Sequence, residues 1–357
     1  MLYDVSVAEE KSARLGVDAR SLSTLGRTGC RRYAAMISAG ADVSILLAGT
    51  GFVATSGETE SAYVFGRRFE EGLLAGSPPK IVRVLEQYGF CGRSPVFVNL
   101  LGRPSTADRA ASLAATVALV ARRRLDASGD LVVVGSVLPM PGLANTCVLL
   151  PDVLLFRDGS CVPVPVEVKV YEDRGPLTSR DGLDGAVAQC GLYAVAFEDC
   201  PDLGFGRGGL SDEGVVVLRE AGRRRGRAIA VDVSRAREAA RSALSSLPTS
   251  VADFASEFGV SASRLAFDLP SVTSVPCSYG EACASSCGMY ELCRSESSAS
   301  CCSLGDALAS YGADSSVEDL RSMVLSAGSS SRGLPTRVRP LVFGTDELRR
   351  LGIVPVV

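Results

Sequence analysis

The chain contains 357 residues, of which 46% are hydrophobic, and its formal net charge is −3. That length allows one large domain with an appendage, or two domains with substantial apolar cores. The chain has no histidine, which excludes histidine-based acid–base catalysis, Ser-His-Asp triads and zinc sites with histidine ligands. Because we find neither an apolar run long enough to cross a bilayer nor a signal-peptide pattern, we expect a cytoplasmic protein without membrane contacts.

Arginine carries nearly all of the positive charge, and several arginines occur in clusters. These clusters are Arg31-Arg32, Arg67-Arg68, Arg122 to Arg124 and Arg223 to Arg225. Each cluster could contact the phosphates of a nucleic acid, and each could equally be a solvated surface. The net charge argues against a generally basic nucleic-acid-binding protein, so any such contact is expected to be local.

Sequence patterns predict helices and strand hairpins in alternation. We expect helices at 21–39, 60–76, 80–88 and 107–127, a strand or buried loop at 43–56, and a strand at 131–138. A hairpin at 151–169, a helix at 181–199, a second hairpin at 214–233 and a helix at 234–247 follow. This order is typical of an α/β domain with a mixed central sheet flanked by helices. We expect a main domain at 1–270, a cysteine-rich segment at 271–302 and a small accessory lobe at 303–357.

The first hairpin carries the most informative charged residues. Asp158-Gly159, between two runs of strand-forming residues, is a strong turn signal. Because side chains alternate along a strand, Glu167 and Lys169 are predicted to point to the same face. The hairpin brings Asp152 alongside them as a second carboxylate. Charged side chains in such an apolar strand need partners, because burying a charge without one is costly.

The hairpin also offers a set of hard oxygen ligands. Asp152, Glu167 and the carbonyl oxygen of Val168 suit Mg²⁺ or Mn²⁺. Lys169 could position or deprotonate an attacking water and offset the charge that develops on a phosphate. The plainer alternative is a structural Glu–Lys ion pair at the end of a strand. Lysine occurs at only two other positions in the chain, which favours a specific role for this amine.

The predicted helix at 181–199 follows this hairpin and carries two further polar residues. Gln189 and Tyr193 are four residues apart, so they lie on one helical face, one turn from each other. An amide and a phenol can both donate hydrogen bonds to phosphate oxygens, which would suit a site that binds nucleic acid. The alternative is an ordinary core tyrosine with a surface glutamine.

Cysteines are numerous and unevenly distributed. The chain has twelve, and six of them lie within 277–302. In a cytoplasmic protein this density indicates a metal cluster more than a disulfide framework. Cys283, Cys287 and Cys293 are close enough in sequence to bind one face of a cluster. Isolated cysteines elsewhere are expected to be buried apolar residues, namely Cys91, Cys147, Cys161, Cys190 and Cys200.

The hairpin and the helix after it resemble the PD-(D/E)xK nucleases of the RecB type. In that family a carboxylate, a Glu-x-Lys strand and a Gln-x-x-x-Tyr helix follow one another, here as Asp152, Glu167-x-Lys169 and Gln189-x-x-x-Tyr193. The resemblance implies a restriction-endonuclease-like α/β core and metal-dependent hydrolysis of DNA phosphodiesters. It also implies that these five residues are catalytic and that Mg²⁺ or Mn²⁺ binds the oxygen ligands named above.

The cysteines extend the resemblance to both ends of the domain. Ser23-x-Leu25 and Cys30-Arg31-Arg32-Tyr33 are similar to the family's N-terminal motif, with Arg31 in place of a proline. The trio of later cysteines is similar to that of the iron–sulphur branch, which includes the CRISPR-associated RecB-like exonucleases and the nuclease domain of the AddB helicase subunit. The resemblance implies that Cys30 joins Cys283, Cys287 and Cys293 in binding one [4Fe–4S] cluster. A Cys₄ zinc site is the alternative, because tetrahedral thiolate ligands suit both metals.

Two departures from the family pattern affect these expectations. The first core helix of the family usually carries a His-Glu pair, whereas this chain has Phe69-Glu70. Either Glu70 takes over as a metal ligand, which we predict, or the metal site is weakened; alternatively Glu70 and Glu71 both face solvent. The first spacing of the cysteine trio is one residue longer than the commoner form, so Cys277 could replace Cys283 as a ligand.

Three functions follow from these motifs. The first is a DNA exonuclease or end-processing nuclease that acts on single-stranded ends in CRISPR adaptation or DNA repair, with adaptation proteins or a helicase as candidate partners. The second is a DNA-end-binding scaffold that keeps the fold and the cluster but has lost turnover, which Phe69 favours. The third is an electron-transfer or redox-sensing protein that uses its cysteines alone. The set of Asp152, Glu167 and Lys169 argues against this third function.

Overall fold

The computed structural model of the chain describes residues 18–54, 60–100, 106–140, 148–175, 178, 180–223, 225–247, 251–278, 283 and 286–297. Within these ranges, six strands form one mixed sheet and two short strands, β3 and β4, form a separate pair. The strands are β1 Val96–Asn99, β2 Leu131–Val134, β3 Leu138–Pro139, β4 Val148–Leu149, β5 Val153–Phe156, β6 Pro163–Asp173, β7 Glu213–Glu220 and β8 Gly226–Asp232.

Helices surround this sheet. In the described residues they are α1 Ala19–Thr28, α2 Arg31–Ser38, α3 Val43–Leu46, α4 Glu60–Leu74, α5 Lys80–Gln87, α6 Thr106–Leu125, α7 Arg180–Asp199, α8 Ser234–Ser246, α9 Val251–Glu257, α10 Leu269–Thr273 and α11 Tyr290–Ser297. None of these described helices is long and apolar enough to cross a membrane. The prediction of an α/β fold with a mixed central sheet flanked by helices is confirmed.

The sheet has the strand order β1-β2-β5-β6-β7-β8. β5 and β6 form the first predicted hairpin, with Val153 opposite Val166, and β7 and β8 form the second. β6 and β7 run parallel, so they need a crossover connection, and α7 provides it. The C-terminal half of β6 and the helix that follows it are therefore held next to each other by the topology.

Apolar side chains cover both faces of the sheet. Alternation along β5 sends Leu154 and Phe156 to one face and Val153 and Leu155 to the other. The first face packs against α1, α7 and α8 through a cluster that includes Leu22, Leu25, Leu192, Phe197 and Ala240. The second packs against α4 and α5 through a cluster that includes Leu73, Ile81, Leu85, Val166 and Val217. Because both faces are covered, the central strands consist almost entirely of apolar residues.

A second apolar core lies outside the sheet. It combines α2 and α3 with α9, α10 and α11, and its members include Met36, Leu46, Phe254, Leu265, Val272 and Met289. The core thus joins the N-terminal part of the described chain to its C-terminal part. It draws on residues from both sides of position 270, so the expected division of the chain there stays a prediction.

The single helix expected at 21–39 is wrong, because the structure has α1 and α2 in its place. α1 begins after Asp18, whose carboxylate accepts a hydrogen bond from the N–H of Ser21 at 2.7 Å. It ends at Gly29, which has a φ of 58°. Glycine adopts this left-handed conformation at little cost, so the chain turns there and Cys30 starts the next helix.

Other local predictions differ in smaller ways. Residues 43–56 contain the short helix α3, where a strand or buried loop was expected, because the Asp42 carboxylate accepts the N–H of Ser44 at 2.8 Å. The strand expected at 131–138 ends at Val134, and Gly135, with a φ of 75°, turns the chain into β3. The four residues of β1 are too few to show an alternating pattern. The accessory lobe expected at 303–357 lies outside the described residues.

Candidate active site and cysteine pocket

The first hairpin positions Asp152 and β6 as the sequence predicts. Strand pairing of β5 with β6 stops at Val166, and the side chain of Asp152 continues it, because Oδ2 of Asp152 accepts the N–H of Val168 at 2.7 Å. The N–H and C=O of one strand residue point to the same edge of the strand. The carbonyl of Val168 therefore lies on the edge where Asp152 sits, which is the arrangement expected of two ligands to one ion.

Glu167 is buried, and both of its carboxylate oxygens have partners. Lys169 Nζ donates to Oε1 at 2.6 Å, and Tyr193 Oη donates to Oε2 at 3.2 Å. Glu167 and Lys169 therefore share a face of β6, as strand alternation predicts. Tyr193 reaches this face from α7, so the helix after the hairpin does approach the charged strand.

Glu70 approaches the same place from α4, which packs directly on β6. A Cβ atom added at Gly66 would lie 3.4 Å from Cγ1 of Val170. Glu70 is half-buried, and its negative charge helps to raise the pKa of both Asp152 and Lys169. Glu71, by contrast, is exposed and pairs with an arginine of its own helix at 3.0 Å. Glu70 is thus near enough for its charge to affect both groups, but the carboxylate oxygens of Glu70, Asp152 and Glu167 are not all within 4.8 Å of one another. Its role as a ligand stays a prediction.

Phe69, which stands where the family has histidine, points elsewhere. Its side chain packs against the apolar cluster between the sheet and α4 and α5. It therefore adds no ligand to the group formed by Glu70, Asp152, Glu167, Lys169 and Tyr193, which we name the carboxylate site.

The carboxylate site contains more negative than positive charge. Burial raises the pKa of the Asp152 carboxyl well above its usual value, and repulsion from Glu167 raises it further. Burial alone would lower the pKa of Lys169, but attraction to the carboxylates of Glu167, Asp152 and Glu70 raises it. Three carboxyl groups thus face one ammonium group, and a divalent cation would favour the ionised form of all three.

Gln189 lies on α7 one turn before Tyr193, on the same helical face. Its side chain is buried, with 8% of its surface exposed. Its Oε1 atom has no hydrogen-bond partner among the described residues. Buried polar atoms in native proteins are almost always paired, so an unpaired one needs an explanation such as an unseen water or ligand. Gln189 is therefore not an ordinary surface glutamine, and its side chain is not fully hydrogen-bonded within the protein core either.

The predicted iron–sulphur cysteines also come together. Cys30, Cys283, Cys287 and Cys293 line one small pocket with a fifth cysteine, Cys277. We name this group of five the cysteine pocket. All five thiols are buried and free of disulfide bonds.

Local backbone geometry explains how the cysteine pocket forms. The turn at Gly29 directs Cys30 toward the C-terminal segment, where the N–H of Ser278 donates to the Cys30 sulphur at 3.4 Å. The thiol of Cys283 in turn donates to the carbonyl of Ser278 at 3.6 Å. Burial raises the pKa of Cys30 above its usual value and that of Cys287 to about 12. A bound metal ion would favour the thiolate form of these cysteines.

Arg32 is a buried neighbour of this pocket, and its position there was not predicted from the sequence. Its guanidinium is buried, with 4% of the residue exposed. It donates to the carbonyls of Thr273 and Val275 at 2.9 Å, to the sulphur of Cys293 at 3.3 Å, and to the carboxylate of Glu296. The cluster Arg31-Arg32 was expected to contact phosphates or solvent, and for Arg32 both expectations are wrong. A buried arginine next to cysteines has no sequence signal of its own.

Arg123, from another predicted basic cluster, is also buried and structural. Its guanidinium donates to four main-chain carbonyls, those of Ser128, Gly129, Arg157 and Ser160, at 2.6 to 3.1 Å. These bonds tie the end of α6 to the turn of the first hairpin. Arg123 is therefore not available to contact a nucleic acid.

The spacing of the ligand atoms limits which metal they can bind. Within the described residues, the one group of three candidate ligand atoms that lie within 4.8 Å of one another is Cys277, Cys293 and Glu296, which could hold a metal ion. A tetrahedral Cys₄ zinc site, with Zn–S bonds of about 2.3 Å, needs its sulphurs about 3.8 Å apart. No three of the four cysteines predicted to act together have their sulphurs within 4.8 Å of one another.

The cysteines expected to be isolated lie apart from this pocket. Cys91 and Cys190 are buried as expected, whereas Cys161 and Cys200 are only partly buried. Cys147 lies outside the described residues. Cys190 sits next to Gln189 on α7 and near the carboxylate site, since its pKa is raised by burial and by the charge of Glu167.

Comparison with protein-family models gives no match for this chain, and comparison with curated proteins gives none either. What can be said of its activity rests on the residues and their geometry.

Proposed function

We propose that this protein is a divalent-metal-dependent DNA nuclease of the PD-(D/E)xK type that acts on single-stranded ends. The observation that carries the proposal is the convergence of Glu70, Asp152, Glu167 and Lys169 at one end of the sheet, with Tyr193 bonded to Glu167. These residues come from α4, the first hairpin and α7, and they follow the chain order typical of RecB-type nucleases. An accidental ion pair at a strand end would not place a third carboxylate, from a separate helix, near the two of the hairpin.

The donor set of the carboxylate site fits Mg²⁺ or Mn²⁺. Asp152, Glu167 and Glu70 with the carbonyl of Val168 would hold the ion, because hard cations prefer oxygen ligands. When bound, the ion would supply Lewis-acid polarisation of a DNA phosphodiester. Burial first, and then repulsion from Glu167, raises the pKa of the Asp152 carboxyl, and such an ion would favour its ionised form.

The chain's own side chains would position the reactants. Lys169 donates a hydrogen bond to Glu167, and this carboxylate favours the charged ammonium form of Lys169. The ammonium group can orient water and offset charge on a phosphate. Tyr193 fixes the other oxygen of Glu167, so the carboxylate cannot rotate away. The unpaired Oε1 of Gln189 would accept a hydrogen bond from a water near the phosphate, while its amide N–H group would contact the DNA backbone.

The activity can be tested with end-labelled single-stranded DNA and Mn²⁺. We expect wild-type protein to shorten the DNA, and Lys169→Ala to slow this by at least about 100-fold, because it removes a charge placed at the reacting phosphate. Lys80→Ala is the matched control, since Lys80 is exposed at the start of α5. Cleavage by Lys169→Ala at the wild-type rate would show that the catalytic assignment is wrong.

We also propose that Cys30, Cys283, Cys287 and Cys293 bind one [4Fe–4S] cluster. Four thiolates are the usual ligands of such a cluster, and no three of these sulphurs lie within 4.8 Å of one another, which favours a cluster over one zinc ion. The guanidinium of Arg32 next to Cys293 would offset part of the negative charge of the cluster. Protein purified without oxygen should contain about four iron and four sulphide ions per chain. A colourless preparation that holds one zinc ion would contradict the proposal.

A second candidate function is a DNA-end-binding scaffold that retains the fold and the cluster with little turnover. The packing of Phe69 into the apolar cluster favours it, because one family ligand is then missing. A wild-type protein that binds single-stranded ends but leaves them intact in Mn²⁺ would support the scaffold. In either case the pathway that we propose is CRISPR adaptation or DNA repair, with adaptation proteins or a helicase as partners.

A further inference from the structure

Large apolar side chains are exposed at three places beside the carboxylate site. Among the described residues eight such side chains are exposed, and these three are Val64, Phe65 and Leu150. Leu150 precedes Asp152 by two residues, and its carbonyl oxygen lies 3.5 Å from Tyr193 Oη. Val64 and Phe65 lie on α4, the helix that carries Glu70. A concentration of exposed apolar groups at the edge of a candidate active site calls for a ligand that covers them.

Phe65 is the aromatic member of this group, and its position relative to the site is well defined. The next residue is Gly66, where an added Cβ atom would lie 3.4 Å from Cγ1 of Val170, and Val170 directly follows Lys169. Five residues further along α4 is Glu70, so the two side chains are separated by about 7.5 Å along the helix axis. Five residues also turn the helix by about 140°, so the two side chains project in different directions. The ring is nevertheless near the strand that carries Lys169, because Arg219 contacts the ring and donates to the carbonyl of Val170. A single DNA strand of several nucleotides whose phosphate lies at the carboxylate site can therefore also reach the ring of Phe65.

The ring of Phe65 is held in place although it is open to solvent. The guanidinium of Arg219 lies 5.4 Å from the centre of the ring, while 47% of Phe65 remains exposed. Arg219 is itself fixed, because it pairs with Glu172 and donates to the carbonyl of Val170 at 3.4 Å. A cation–π contact of this kind orients the ring without covering it. The ring is thus positioned in advance, so binding a flat ligand would cost little additional ordering.

The surroundings of the ring are suited to a nucleic-acid strand. Arg68 lies three residues after Phe65, on the same side of α4, and is exposed. Proteins that bind single strands commonly combine aromatic rings, on which bases stack, with basic groups that contact the phosphates. Bases inside a duplex are already stacked on both faces and paired, so the bases of a single strand are more readily available to such a ring.

We infer that Phe65 is a stacking site for an unpaired base of single-stranded DNA, with Arg68 contacting the adjacent phosphate. This inference rests on the proposed nuclease function and adds to it a structural reason for acting on unpaired ends. Stacking on an aromatic ring is tolerant of sequence, because every base has a π face. The site therefore selects single strands without selecting their sequence.

Binding of a fluorescein-labelled oligothymidylate tests the inference, measured by anisotropy on the full chain with Ca²⁺ in place of Mn²⁺. We expect Phe65→Ala to weaken binding about tenfold, in the range found when one base–aromatic stack is removed. Phe65→Tyr keeps an aromatic ring and should bind within about twofold of wild type. Phe267→Ala is the matched control, because Phe267 is also exposed, at 55%, but lies in a different part of the chain.

An abasic oligonucleotide of the same length separates stacking from other effects. Wild type and Phe65→Ala should bind it equally, because it offers no base to the ring. The inference is overturned if Phe65→Ala binds oligothymidylate as wild type does, or if it weakens binding of both oligonucleotides equally, as a change in folding or in a protein–protein surface would.

The nuclease proposal is judged separately, by cleavage in Mn²⁺ of the same oligothymidylate. If the wild-type protein cleaves this DNA but Phe65→Ala binds it as tightly as wild type, the stacking site alone is overturned. A wild-type protein that neither binds nor cleaves would overturn both the stacking site and the nuclease proposal.

Discussion

Arg32 shows how a single buried charge can depend on distant parts of the chain. Its acceptors Thr273, Val275 and Glu296 lie more than 240 residues away in sequence. Such a partnership is invisible to sequence patterns, which report neighbours along one helix or strand. The exposed Arg31 beside it pairs with Glu257 at 2.6 Å. Two adjacent arginines of the same sequence cluster thus have entirely different roles.

We predict that Arg32→Met lowers the free energy of unfolding by about 3 kcal/mol, because it leaves buried carbonyls and Glu296 without their donor. Arg31→Met should cost less than about 1 kcal/mol, since exposed ion pairs contribute little. Urea denaturation of both variants provides the measurement. Equal stability of the two variants would show that the buried contacts of Arg32 do not contribute as described.

Glu70 and Glu71 form a second informative pair. The charge of Glu70 helps to raise the pKa of Asp152 and Lys169, whereas Glu71 forms a solvent-exposed ion pair with Arg67. We predict that Glu70→Gln raises the Mn²⁺ concentration needed for half-maximal cleavage by at least about tenfold, because it removes one anionic ligand. Glu71→Gln is the control and should leave this concentration unchanged. An unchanged Mn²⁺ dependence in Glu70→Gln would remove Glu70 from the metal site.

The carboxylate site could be predicted residue by residue wherever a local rule applied. Strand alternation placed Glu167 and Lys169 on one face, and the hairpin turn placed Asp152 beside them. Helical periodicity placed Gln189 and Tyr193 together. The exposure of Phe65 could not be predicted, since it depends on how α4 lies against β6.

At the scale of whole elements, the secondary-structure predictions that were wrong concern short or interrupted segments. A glycine within a helical pattern is ambiguous, because it can be tolerated in a helix or can end one. Gly29 ends α1, and this interruption is what turns Cys30 toward its partners. Long periodic segments such as α7 were predicted to within about two residues.

The contact between α7 and α8 yields a prediction at this scale. A Cβ atom at Gly191 would lie 2.6 Å from the carbonyl carbon of Ala236, so the two helices would have to separate. We predict that Gly191→Ala lowers the free energy of unfolding by about 2 kcal/mol. It should also slow cleavage, because α7 carries Gln189 and Tyr193 and a small displacement of catalytic groups is costly.

Gly72→Ala is the matched control for this change. Gly72 also lies in a helix, α4, but a Cβ atom there would meet nothing within 4 Å. Alanine should therefore stabilise the protein by about 0.5 to 1 kcal/mol, because glycine loses more conformational freedom on folding. Thermal unfolding followed by circular dichroism measures both variants. A Gly191→Ala protein as stable as wild type would mean that the helices do not pack this closely.

At the scale of the molecule, the cysteine pocket connects the two ends of the described chain. Cys30 follows the first helix, while Cys283 to Cys293 lie near the C-terminal end of the described residues, about 250 residues later. The sheet with the carboxylate site is folded from the chain between them. A cluster bound by all four predicted ligands would close this long loop. By analogy with a covalent cross-link it would stabilise the fold by up to about 5 kcal/mol.

The last prediction tests this connection and the identity of the fourth ligand together. We expect Cys30→Ala to lose iron, to unfold at a lower temperature and to cleave DNA more slowly, because the loop is no longer closed. Cys277→Ala should keep about four iron ions per chain, since the predicted ligand set is complete without it. Cys161→Ala is the control, because this thiol is partly buried and lies outside the pocket. Iron content and thermal unfolding are measured on proteins purified without oxygen.

Wild-type iron content in Cys30→Ala would remove Cys30 from the ligands. Loss of iron in Cys277→Ala but not in Cys283→Ala would instead show that Cys277 is the ligand in place of Cys283.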